Sequence, residues 1–160
     1  MGKSSAYESI APDEQGYVAY PEQDNQTWET LYKRQIALVQ DRACQEYLDG
    51  LEQLQLSQNA IPQIPDLNKT LETATGWGVA PVPALIGFKE FFQLLANKRF
   101  PVATFIRRPE DLDYLQEPDV FHEIFGHCPL LTNPAYAEFS QQYGKLGLAA
   151  GKAERVMLAR

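Results

Sequence analysis

Histidine and cysteine are scarce in this 160-residue chain, which has two of each. Cys44 and Cys128 are too few for a disulfide framework and fit a reducing cytoplasm, each reading first as a buried thiol. Basic residues are also in short supply: 14 Lys and Arg face 21 Asp and Glu, for a net charge of −7. Nucleic acid is held largely by cationic side chains that neutralise phosphates, so no nucleic-acid partner is expected. No apolar run approaches the roughly 18 residues of a membrane span. The opening stretch MGKSSAYESIAPDEQG lacks the continuous apolar region of a secretory signal. A cytoplasmic protein with no membrane partner is therefore expected.

The length suits one domain with its own core. Residues 1–24 are polar and acidic and read as a flexible or surface-draped arm. Residues 25–160 read as part of one domain, α+β and mostly helical. Trp28, Leu31, Tyr32, Ile36 and Val39 form a helical stripe that Asn25 or Thr27 can cap. A second helix fits Cys44, Tyr47, Leu48, Leu51 and Leu54, with Gly50 counting slightly against it. Pro62 and Pro65 impose an extended connector before a short helix carrying Leu67 and Leu71, which Gly76 should end. WGVAPVPALIG reads as an edge strand or irregular segment, because its prolines cannot donate to a ladder. Phe88, Phe91, Phe92 and Leu95 mark a helix. FPVATFIR reads as a strand, and Asn133–Pro134 should open a helix running through Tyr136, Phe139 and Tyr143. KAERVMLAR reads as one more helix.

Both histidines fall in PDVFHEIFGHCPLL, five residues apart. Neutral imidazole suits zinc, iron, copper and nickel, so His122 and His127 are candidate metal ligands. On an unbroken α-helix, side chains five apart point about 140° apart, at about 100° per residue. Gly126 offers a solution if it turns left-handed and ends the helix, with Pro129 preventing continuation. His127 then swings back towards His122. Glu123 is expected on a different face, either hydrogen-bonding to a cofactor or ligand or solvated as a helix carboxylate. Asp119 and Glu117 are expected to help cap the helix. Two histidines leave a site incomplete, since catalytic zinc and non-haem iron usually take a third protein ligand.

LDYLQEPDVFHEIFGHCPLL closely resembles the iron-binding segment of the aromatic amino acid hydroxylases, and within them the short bacterial phenylalanine 4-hydroxylases. TWETLYKRQ, RACQEYLDGLEQL, TGWGVAPVPALI, LANKRFPV and NPAYAEFSQQYGK resemble that family in the same order. The resemblance implies the N-terminal part of its largely helical catalytic-domain fold. It implies Fe(II), a tetrahydropterin and O₂ acting on L-phenylalanine to give L-tyrosine, and a monomer by likeness to bacterial members. His122 and His127 then match two ligands of a 2-His-1-carboxylate triad. Arg107 matches the arginine that holds the substrate carboxylate, and Tyr114 and Pro118 match residues lining the substrate pocket. Phe91 matches the aromatic that stacks on the pterin, Ile86 and Phe88 fall in the pterin-lining stretch, and Glu123 matches an acid near the pterin. The family's third ligand is a glutamate in a helix expected beyond Arg160, so an incomplete, inactive piece of the enzyme is expected. The alternatives are a non-catalytic metal-binding or interaction module and a zinc-dependent hydrolase with Glu123 activating water.

Overall fold

Two prolines that would break a central strand sit opposite apolar partners in a two-stranded parallel sheet. In a computed structural model, which describes residues 5–158, strand β1 (Gly78–Val82) pairs with β2 (Arg99–Ala103). Pro81 faces Val102 and Pro101 faces Ala80. Among the described residues each strand has one neighbour, so a missing proline N–H can fall on the unpaired side. The described residues also form six α-helices, of which α3 and α4 pack on the strands: α1 (Glu22–Val39), α2 (Gln45–Leu54), α3 (Ile64–Thr75), α4 (Phe88–Ala96), α5 (Pro134–Ala149) and α6 (Lys152–Leu158). The architecture is the expected mostly helical α+β arrangement. Residues 1–4 of the expected arm and the last two residues of the expected final helix lie outside the described residues.

Where it is described, the arm lies against the rest of the chain. Ser9 Oγ donates to the Val82 carbonyl at 3.1 Å, and Thr104 Oγ1 donates to the Ile10 carbonyl at 2.6 Å. The Ser5 hydroxyl and Ala6 N–H both reach Glu117, and the Tyr7 hydroxyl reaches Asp111. Val18 exchanges two hydrogen bonds with the Gln63 side chain and is buried. Helix α1 then begins at Glu22, after Pro21, rather than at an Asn25 or Thr27 cap. Asn25 serves elsewhere, accepting the Ile61 N–H at 3.0 Å.

Several local expectations hold because one chemical feature dominates. Gly76 ends α3 in the left-handed region, at φ 77°. Asn133 caps α5 by accepting the Tyr136 N–H at 3.0 Å, with Pro134 first in the helix. Trp28, Leu71, Trp77, Val102, Val120, Ile124 and Leu131 form the centre of the core. The expected helix through Tyr136, Phe139 and Tyr143 is α5; Tyr136 and Tyr143 pack against the core, Phe139 is 66% exposed, and Ala137, Gly144 and Gly147 are buried. A Cβ on Gly144 would lie 2.4 Å from the Ala96 nitrogen, and one on Gly147 would lie 2.2 Å from the Phe92 ring. The absence of side chains thus lets α5 settle directly onto α4.

Candidate metal centre

The segment carrying the histidines is wound more widely than an α-helix. Val120 anchors its start by donating to the Phe105 carbonyl at 2.8 Å, and Asp119 accepts the His122 N–H at 2.9 Å. From His122 to His127 the backbone is π-helical, and residues Cys128–Thr132 then tighten into a 3₁₀ turn. The Cys128 N–H reaches back five residues to the Glu123 carbonyl as well as four to Ile124. Such i to i+5 winding brings residues five apart onto one face. Gly126 does not adopt a positive φ, so the expected left-handed stop does not occur. The five-residue spacing is solved by widening the helix, not by ending it.

The result is a close imidazole pair. The Nε2 atoms of His122 and His127 are 3.2 Å apart and the ring centroids 5.0 Å apart. With metal–nitrogen bonds of about 2.1 Å, two ligands on one ion lie roughly 3.0 Å apart at 90° and about 3.4 Å apart at the tetrahedral angle. The pair therefore fits a shared divalent ion. Burial lowers the proton affinity of both rings. It takes His127 to about 4, with His122 adding to the effect. At His122 burial also dominates, opposed by Asp119 and assisted by Arg107. Both rings are thus neutral at pH 7 and have lone pairs to offer.

Glu123 is not the solvated carboxylate of one expected reading. It is only 9% exposed, and burial followed by the charge of Asp119 pushes its carboxyl up to about 8. Nor does its neighbouring position keep it away from the pair: a carboxylate oxygen and the two ring nitrogens all lie within 4.8 Å of one another. The donor set of His122, Glu123 and His127 is the one such cluster among the described residues.

Arg107 and Asp119 form a buried ion pair beside the histidines. Arg107 Nε and Nη2 donate side-on to the two carboxylate oxygens at 2.9 and 3.1 Å, and the Arg107 backbone N–H adds a bond of 3.0 Å. Asp119 has no exposed surface. Its expected capping role holds through His122, but its larger task is to clamp the guanidinium. Arg107 Nη1 also reaches the Leu112 carbonyl at 3.4 Å. Five N–H donors are available on a guanidinium, so one N–H on each terminal nitrogen remains for an end-on partner. Glu117, by contrast, ties down the N-terminal arm.

Two clefts meet at His122. One, of about 460 Å³, is walled by Arg107, Tyr47, Phe121, Phe125 and Gly126. The other, of about 320 Å³, is walled by Phe91, Phe100, Pro118, Glu123, His127 and Tyr136. Of the residues singled out in the sequence, Arg107 is therefore in the first cleft and Phe91, Pro118 and Glu123 are in the second. Tyr114 is 77% exposed, Phe88 is also exposed and Ile86 is half-buried; none of the three lines either cleft. Sequence reasoning missed Phe100, whose ring centroid lies 5.0 Å from that of His127, and Tyr136 in the same wall. Neither carries a local signal. The local sequence around Asp119 signals only a cap, because its partner lies twelve residues upstream across a loop.

Residues 4–160 match the family model of the biopterin-dependent aromatic amino acid hydroxylases. The phenylalanine-4-hydroxylase of Pseudomonas aeruginosa is 61% identical over 158 residues, covering 99% of this chain and 60% of that protein. The apo structure of the cold-active phenylalanine hydroxylase from Colwellia psychrerythraea superposes with a TM-score of 0.93 at 56% identity, covering 96% of this chain and 59% of that one. A Chromobacterium violaceum phenylalanine hydroxylase with bound iron(III) and 7,8-dihydrobiopterin is similar at a TM-score of 0.86 and 46% identity, over 93% of this chain and 57% of that one. The chain thus spans about three-fifths of the length of these relatives.

Proposed function

We propose a function from one premise: the chain belongs to the biopterin-dependent aromatic amino acid hydroxylase family. The protein is a phenylalanine 4-monooxygenase, converting L-phenylalanine to L-tyrosine with O₂, Fe(II) and a tetrahydropterin. The observation that carries this reading is the neutral imidazole pair with nitrogens 3.2 Å apart beside a clamped arginine. His122 and His127 are the residues that would hold iron. By resemblance, a glutamate is the third ligand. Iron and pterin together supply the activation of oxygen for attack on the ring.

The chain's own residues do the positioning. Arg107 holds the substrate carboxylate through its end-on N–H pair, a geometry suited to bidentate recognition. Asp119 fixes that guanidinium before the substrate arrives, so its orientation need not be found on binding. In the other cleft Phe91 offers an aromatic face to the pterin and Glu123 a polar edge. Pro118 closes the wall near His122, while Ile86, Phe88 and Tyr114 contribute, by resemblance alone, to the rims of the pterin and substrate sites. Resemblance to bacterial members supports a monomer. Among the described residues no helix is long and apolar enough to cross a membrane.

Tyrosine formation from phenylalanine, with Fe(II), tetrahydropterin and O₂ supplied, tests the activity. The full-length protein is expected to turn over. Absence of tyrosine from the iron-loaded full-length protein would refute the activity. His122→Ala and His127→Ala are each expected to abolish iron binding in the full-length protein, read as bound iron per protein. Unchanged stoichiometry in either variant refutes the ligand assignment.

A further inference from the structure

The carbonyl of Phe125 sits in the middle of the wide turn between the two histidines. In an α-helix its donor would be the N–H four residues on. That residue is Pro129, which has none. A buried carbonyl without a partner is costly, so the turn needs another donor at this point. The Tyr47 hydroxyl supplies it, donating to the Phe125 carbonyl at 2.5 Å from a helix 78 residues earlier in the chain.

Helix α2 is built to deliver that hydroxyl. Gly50 lies three residues after Tyr47 and therefore on the same face. A Cβ there would sit 2.0 Å from the Pro129 carbonyl oxygen, so only glycine lets the α2 backbone approach the turn this closely. The Tyr47 ring packs edge-on to Phe125, with centroids 6.3 Å apart. Tyr47 is buried, and burial, reinforced by Tyr32 and Cys128, pushes its phenol above the ordinary range, so it stays a donor. One helix thus grips the metal-site turn at two points, through a hydroxyl and through a bare backbone.

We infer that Tyr47 is a positioning residue for the metal site, its phenol holding the turn between His122 and His127 by serving the carbonyl that Pro129 leaves without a donor. This rests on the histidine pair as the metal site. Loss of the hydroxyl frees the turn to rewind, and His127 then loses its aim at His122.

The test compares the wild type, Tyr47→Phe, Pro129→Ala and the double variant. Co(II) titration with its visible ligand-field bands reads the site, and amide exchange of the metal-free protein across residues 124–128 reads the turn. Tyr47→Phe is expected to lose about tenfold or more in Co(II) affinity, as partners that orient ligands commonly do. Its bands shift and its amides exchange faster while the fold is retained. In the Pro129→Ala background, where a backbone N–H is restored, the same substitution is expected to cost less than about threefold, revealing the coupling. Tyr32→Phe, whose ring also packs edge-on to Phe125, serves as a control and leaves the Co(II) bands in place. Unchanged affinity and bands in Tyr47→Phe, even with a lowered melting temperature, overturn the positioning role. So does an equal loss in both backgrounds. A wild type that binds no Co(II) refutes the histidine assignment instead, and the metal-free exchange still decides the Tyr47 contact.

Discussion

Replacing Asp119 by alanine tests the clamp on Arg107 most directly. The carboxylate is fully buried and accepts four hydrogen bonds: three from Arg107 and one from the His122 N–H. Its removal strands a guanidinium that is itself mostly covered, with 14% of its side chain exposed. Breaking a buried ion pair by deleting one partner costs about 3–5 kcal/mol. A domain's whole stability is about 5–15 kcal/mol, so the loss is a large fraction of it. At roughly 2–4 °C per kcal/mol for a chain of this size, the melting temperature falls by about 6–20 °C. Urea unfolding followed by circular dichroism measures the loss, with Glu29→Ala as control. Glu29 pairs with Lys33 on the exposed face of α1, where such a pair contributes about 0–1 kcal/mol. A loss of under about 1 kcal/mol in Asp119→Ala would mean that water already satisfies Arg107, and the argument for a preset guanidinium would fail.

Two further outcomes follow from the same geometry. Gly126→Ala is expected to raise stability by about 0.5–1 kcal/mol, because Gly126 has no positive φ and a Cβ there meets nothing within 4 Å; a loss of similar size would show that the turn needs a left-handed glycine after all. Native protein is expected to react with one equivalent of a thiol reagent and unfolded protein with two, since Cys44 is exposed, against the expectation of a buried thiol, while Cys128 is buried as expected and its thiol pushed upward chiefly by that burial. Two fast equivalents in the native state would place Cys128 at the surface.

The parts of the fold legible in the sequence are those set by one residue's own chemistry. Gly76 at a helix end and Asn133–Pro134 at a helix start act locally, and the structure places both as expected. The histidine pair was legible because its scarcity made its clustering informative. The way the pair meets was not. Gly126 suggested a left-handed stop, whereas the choice between i+4 and i+5 backbone bonds depends on what surrounds the helix. Pro129 was the available signal, since it removes the donor for Phe125. It was read only as the end of a helix, because the Tyr47 hydroxyl that replaces the donor comes from a distant segment. The helix α5 was legible from its aromatic spacing, but its close packing on α4 was not: periodicity counts apolar side chains, and this interface is made by their absence at Gly144 and Gly147. Asp119 reads as a capping charge until folding sets it against Arg107, which the family resemblance alone singles out.

The widened turn also sets the phase of everything that follows it. A π turn holds one more residue than the α-helical turn that would bring two side chains to the same face. Deleting a residue between His122 and His127 would return them to the i, i+4 relation and could leave the imidazoles close. It would also rotate the following chain by about 100° relative to Phe121. Cys128, Leu131 and Thr132, all buried against the core, would then point elsewhere. The surplus residue belongs as much to the seating of the downstream chain as to the meeting of the two rings.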